Sequence, residues 1–157
     1  VVSTDCGDSL DVHYHHKQPV GERLARWALA RNYGFGLTPS GPLVNQVRSK
    51  GDTIVVSFRY GHGLTTSDGR DPRSFEIAHD DGIFRPAKAV IEGNKVMLTA
   101  EGVKAPRYVR YAWQPFTRAN LVNSDLLPAS TFRAKAKAKK HNKHKGQKHK
   151  PRSNHHN

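Results

Sequence analysis

Only one cysteine, Cys6, occurs in the 157 residues. No intrachain disulfide can form, and neither an oxidising nor a reducing compartment is excluded. No apolar run approaches the length that crosses a bilayer, and no basic start leads into an apolar stretch with a cleavage site, so neither a membrane span nor a signal peptide is expected. Apolar residues make up 36% of the chain, little for one that buries a full core along its whole length, so part of it is expected not to fold. Met97 is the only methionine. The opening "VVST", two β-branched residues without an initiator, reads as an entry in mid-strand: a fragment, a processing product or one piece of a split reading frame.

Acidic residues are missing altogether from 133–157, which holds ten Lys and Arg and five His. Taking those ten from the 26 basic residues leaves sixteen against thirteen acids in 1–132, a body of about +3. The high pI therefore belongs to the tail, and net charge does not mark the whole protein as a nucleic-acid binder. The tail "RAKAKAKKHNKHKGQKHKPRSNHHN" has no aliphatic residue larger than alanine, so it is expected to be disordered.

Between these extremes the chain carries two kinds of pattern. From Pro19, the residues Val20, Leu24, Trp27 and Ala28 recur at helical spacing among Glu22, Arg23 and Arg26, with Pro19 suited to the first turn and Gly34 to the stop. "GLTPSGPL" then reads as a linker. After it come "LVNQVRS", "TIVVSFRY", "SFEIAH", "KAVIEG", "KVMLTA" and "YVRYAW", short strands separated by "KGD", "SDGRD", "DDG" and "EGN". That spacing predicts an antiparallel sandwich, with a hairpin at Gly93 and Asn94. "QPFTRANLVNSDLLPASTF" has apolar residues without a period and is expected to lie as an ordered strap that covers Phe116, Leu121, Val122, Leu126, Leu127 and Phe132. The fold class expected is thus one helix from an α/β domain, an all-β antiparallel sandwich and a disordered basic tail. The boundaries are 1–35, a linker at 36–41, the sandwich at 42–114, the strap at 115–132 and the tail at 133–157.

Chemistry concentrates in "DCGDSLDVHYHHKQPVG". The literal "GDSL" offers Ser9 as a nucleophile, but in GDSL and SGNH hydrolases the nucleophile follows the first strand, whereas here one helix and a β-rich region follow. Ser9 and His13 are also too close in sequence to approach a substrate from separate loops, so Ser9 reads as a turn residue after Gly7 and Asp8. His13, His15 and His16 could form a solvated loop or an adventitious metal site, although one- and two-residue spacings suit a preformed zinc site poorly.

"DCGDSLDVHYHHKQPVGERLARWALARNYG" resembles the end of the esterase domain of sialate O-acetylesterases, SGNH-type carbohydrate esterases with a "DLGD…DIHP.nKqpvGeRLA" segment. "VRYAWQPFTRANLVNSDLLPASTFR" resembles the family's closing "YAW.P…NL.N..GLPA.PFR". The two motifs stand at the family's separation and cover residues 1 to about 133. The resemblance implies that His13 is the catalytic base, which deprotonates a serine and then protonates the leaving sugar hydroxyl. It implies no metal or cofactor, an O-acetylated sugar as substrate and an extracytoplasmic location. Asp11 is the best candidate to orient His13; the superfamily's usual carboxylate position is Leu10 here, so Asp8 or no carboxylate remain alternatives. Tyr14 replaces the family's proline. The family places its nucleophile and oxyanion donors upstream of this segment, so the chain is expected to be the C-terminal portion of an esterase and inactive alone.

The aromatics Phe58, Tyr60, Phe75, Phe84, Tyr108, Tyr111 and Trp113 alternate with polar residues as core residues do, which favours structural support over glycan binding for the sandwich. The alternative function is non-specific polyanion binding by the tail, without base stacking because the tail has no aromatic. A frame-shifted stretch of related codons would also give such a tail.

Overall fold

The computed structural model describes residues 1–11, 13 and 15–137. Helix α1 (Gln18–Arg31) is followed by ten strands, β1 (Leu43–Lys50), β2 (Thr53–Arg59), β3 (Thr65–Thr66), β4 (Phe75–Ala78), β5 (Arg85–Pro86), β6 (Lys88–Glu92), β7 (Lys95–Thr99), β8 (Tyr108–Tyr111), β9 (Leu121–Val122) and β10 (Phe132–Lys135). Two four-stranded sheets, ordered β1-β2-β7-β6 and β10-β8-β4-β5, and the short pair β3-β9 are all antiparallel.

Period-two alternation builds the core. Ile54, Val56 and Phe58 of β2 and Val96 and Leu98 of β7 meet Phe75 and Ile77 of β4 and Val109 and Tyr111 of β8 in one buried cluster. Each such side chain contributes about 1.5–3 kcal/mol by leaving water. Tyr111 stands 4.4 Å from Phe75 and 5.9 Å from Phe132, ring centre to centre, and Phe132 meets Phe58 across the sheets at 6.0 Å. Burial pushes the Tyr111 phenol up to about 12. The neutral hydroxyl accepts the Leu121 N–H at 3.1 Å, fastening the strap to the core. The hairpin between β6 and β7 turns on Gly93 and Asn94, with Glu92 opposite Lys95. Only Gly93 takes a positive φ, +59°, as the first central residue of a type II′ turn does.

Four details differ from the sequence expectation. First, residues 133–137 belong to the sheet. β10 pairs with β8, the Ala136 N–H donates to the Arg107 carbonyl at 2.7 Å, and the Lys137 N–H donates to that of Val47 at 3.0 Å. In "RAKAK" the strand runs to Lys135 and the chain continues in register with its neighbours to Lys137; Ala136 is buried while Arg133, Lys135 and Lys137 face solvent. Alanines repay little entropy by themselves, and here the open edge of β8 supplies the backbone partners. The rest of the expected tail, 138–157, lies outside the described residues.

Second, the strap leaves Phe116 and Leu126 exposed, Leu126 because it sits at the tip of a turn with φ +55°. Third, the linker is packed: residues 39–42 are buried, and a Cβ on Gly41 would lie 2.0 Å from the Pro128 carbonyl oxygen. Fourth, α1 turns Leu24 outward at 57% exposure and buries none of its residues. Its docking contacts are polar and aromatic. Arg26 donates to the Thr38 carbonyl at 2.5 Å and to Asp125 at 2.7 Å, Arg31 donates to the Tyr60 hydroxyl at 2.7 Å, and Trp27 meets the Tyr60 ring edge-on at 6.3 Å.

Candidate functional site

The segment before α1 is held at its base and turns sharply above it. Arg23 of α1 grips Asp5 with both guanidinium nitrogens at 2.7 and 2.6 Å and donates to the Val2 carbonyl at 3.0 Å. Burial alone would raise the Asp5 carboxyl, but the Arg23 hydrogen bonds and charge outweigh it and hold the group below its usual range. The Thr4 hydroxyl donates to the Ala129 carbonyl at 3.2 Å, tying the same segment to the strap. Cys6 stands beside this pair, its thiol pushed up by burial and by the Asp5 charge.

Two successive aspartate turns follow. The Leu10 N–H donates to Asp8 Oδ1 at 2.8 Å, and the His13 N–H donates to Asp11 Oδ1 at 2.7 Å. Ser9 is exposed within the first of them. Asp11 is half-buried and His13 exposed. Asp11 and His13 are therefore brought together, through the backbone of His13, while the recorded partner of Asp11 is not the imidazole. The chain then enters α1 at Lys17, whose carbonyl accepts from Val20 and Gly21 at 3.1 and 3.3 Å. His15 and His16 are exposed, and among the described residues no three His, Cys, Asp or Glu side chains gather around a common point for a metal. Among the same residues, no helix is long and apolar enough to cross a membrane.

Leu24, Leu29, Tyr33 and Phe35 form an exposed apolar set on and just after α1, with Leu10 of the loop also exposed. A cleft of about 510 Å³ opens on the other side of the anchored segment, between residues 3–8 and the strap. Neither Asp11 nor His13 lines it. Sequence reasoning missed the anchoring pair of Asp5 and Arg23. Its one signal was an arginine on the inner side of the helix where the apolar period calls for a hydrophobic residue.

A carbohydrate acetylesterase from Xanthomonas citri has a similar structure. The match is 38% identical with a TM-score of 0.79, and it covers 83% of this chain and 31% of that one. The chain thus spans about a third of the length of the protein it resembles. No protein-family model matches it, and no curated protein does. The likeness supports a relation to carbohydrate esterases and agrees with the coarser part of the sequence resemblance.

Proposed function

We propose that the chain is the C-terminal portion of a serine carbohydrate esterase of the sialate O-acetylesterase kind, the end of an SGNH-like domain joined to its sandwich. His13 is the general base, and a serine and oxyanion donors outside these 157 residues complete the site. The observation that carries this reading is the 38% identity to a carbohydrate acetylesterase over most of the chain.

In the reaction, His13 takes the proton of the serine hydroxyl as the oxygen attacks the acetyl carbonyl. It returns that proton to the sugar oxygen as the ester bond breaks, and then activates water to release acetate. A base must be both accessible and fixed. His13 is exposed, and Asp11 holds its backbone at 2.7 Å. With Oδ1 on that N–H, Oδ2 of Asp11 is the oxygen to accept the imidazole Nδ1–H. The exposed Leu10, Leu24, Tyr33 and Phe35 also support the reading, as the surface on which the hydrolase portion packs.

The test supplies the preceding coding region, in cis or as a second chain, and measures acetate release from an O-acetylated sialic acid. His13→Ala is expected to lower turnover by about 10²–10⁴-fold, His15→Ala and His16→Ala by less than about threefold, and Asp11→Asn by less than His13→Ala. The 157-residue chain alone is expected to be no faster than its own His13→Ala variant. Equal losses at all three histidines, together with inhibition by a chelator, refute the assignment; so does turnover by the isolated chain that Ser9→Ala abolishes.

A further inference from the structure

After Tyr111 the inward-outward alternation of β8 would carry Trp113 into the core, yet the residue is 48% exposed. The cause is Ala112, at φ +51°, whose N–H donates to the carbonyl of Ser74, itself at φ +65°. A left-handed conformation is unfavourable for a non-glycine residue, and two such residues face each other here across one hydrogen bond. Their effect is to turn Trp113 out of the protein and to lead the following chain along its surface.

Two clefts meet at this point. The one of about 510 Å³ is lined by Ser67, Arg73, Gln114, Phe116, Thr117 and Arg118, among others, and one of about 310 Å³ by Arg73, Gln114 and Trp113. Arg73 and Gln114 line both, so the clefts adjoin as the two parts of a groove; the exposed Trp113 lines the smaller part and Phe116, 45% exposed, the larger. Both clefts are within the size range of small-molecule sites. Arg73, common to both clefts, is held on several sides: it pairs with Asp68 and donates through Nε to the Arg118 carbonyl at 3.1 Å, while its own N–H donates to Asn120 Oδ1 at 2.9 Å. Most of the charge is internally paired, Arg73 with Asp68, Asp5 with Arg23, and Glu76 with Arg110. Asp8 and Arg118 remain, one of each sign.

We infer that this groove binds a neutral oligosaccharide chain. Pyranose rings present a face of C–H bonds that stacks on an aromatic ring and a rim of hydroxyls that bonds to amides, hydroxyls and guanidinium groups. Trp113 and Phe116 supply the rings; Gln114, Thr117 and Arg73 supply the polar partners. Two clefts in series suit consecutive sugar units better than one free sugar, and a balanced lining offers no preference for an acidic polymer. The larger cleft is walled by residues 3–8, the base of the loop that ends in His13. This rests on the esterase reading and deepens it: the acetylated sugar is presented as part of a longer glycan held on the sandwich.

The chain has two tryptophans, Trp27 and Trp113, so a Trp27→Phe background makes Trp113 the only tryptophan reporter. The full chain is titrated with unesterified gluco-, xylo- and galacto-oligosaccharides of six units, their free monosaccharides and polygalacturonate, by fluorescence and calorimetry. At least one neutral hexamer is expected to shift Trp113 emission and to bind tenfold or more tighter than its monosaccharide. Trp113→Ala and the surface change Gln114→Ala are each expected to weaken it tenfold or more with unchanged circular dichroism. Absence of binding across the neutral panel, affinity retained in both variants, equal affinity for a monosaccharide, or tighter binding of polygalacturonate overturns the inference. None of these probes carries an ester, so failure here leaves the His13 assignment standing, and loss of esterase function leaves this binding measurable.

Discussion

Replacing Asn123 by alanine tests how the helix, the sandwich and the strap are joined. Asn123 is 1% exposed and has all its hydrogen-bonding capacity engaged. Its Nδ2 donates to the carbonyls of Ser40 and Tyr60 at 3.0 Å each, and its Oδ1 accepts the N–H groups of Asp125 and Leu127 at 3.1 Å each. One side chain thus pins the segment after α1, the end of β2, where Tyr60 takes φ +54°, and the turn of the strap. Alanine removes all four bonds. The two carbonyls lose partners where little water enters, at about 1–3 kcal/mol each, whereas the two N–H groups lie in an exposed turn and cost about 0.5 kcal/mol each. The total expected is about 3–7 kcal/mol. For a folded unit of this size a loss of 1 kcal/mol lowers Tm by about 3–5 °C, so Tm falls by about 10–30 °C in calorimetry, with a matching shift of the urea midpoint. Asn123→Asp keeps the acceptor and loses both donors, so it loses about as much near neutrality and recovers part of it in acid, where the protonated carboxyl donates once. A loss below about 1 kcal/mol for alanine refutes the reasoning, because it means that water or a backbone shift satisfies the carbonyls.

Chains ending at Lys137 and at Phe132 separate the sheet from the basic segment. Removing residues 133–137 takes away most of β10 and the Ala136 and Lys137 bonds, an expected loss of about 2–4 kcal/mol from several backbone hydrogen bonds; equal melting of the two chains refutes membership of the sheet. The polyanion reading predicts salt-dependent heparin retention of the full chain, nearly all of which is lost when 133–157, with its ten Lys and Arg, is deleted; retention that survives the deletion refutes it. In acid, Asp68 is the informative group: hydrogen bonds from Asn120, the Arg70 N–H and Arg73 lower its pKa to about 2, and Asp5 is also lowered. Both folded values lie below the unfolded one of about 3.9, so their stabilisation is present above about pH 4 and is lost as pH falls through the folded values. Tm is expected to drop between about pH 4 and pH 2 and Asp68→Asn to flatten that drop; an unchanged slope in the variant refutes the assignment.

The sequence by itself determined the local elements whose signals lie within a few residues. "TIVVSFRY" and "KVMLTA" alternate strictly and are bounded by turn residues, so β2 and β7 were legible as strands, and the period from Val20 to Ala28 made α1 legible as a helix. The role proposed for His13 rests on the resemblance of its motif, and no local period or spacing points to it. What the tertiary structure decided were the partners. Arg23 and Arg26 dock the helix in place of Leu24 because their acceptors, Asp5 and Asp125, come from 18 and 99 residues away, a separation to which a helical period is blind. Residues 133–135 form a strand because β8 leaves an open edge there, not because alternating Lys and Ala favour one. Trp113 reaches solvent because the backbone at Ala112 reverses the alternation that Val109 and Tyr111 had set, at a conformation no residue type in "YAW" announces. Local periodicity fixes which backbone hydrogen bonds are made within an element; which side chain ends in water depends on what the rest of the chain brings beside it.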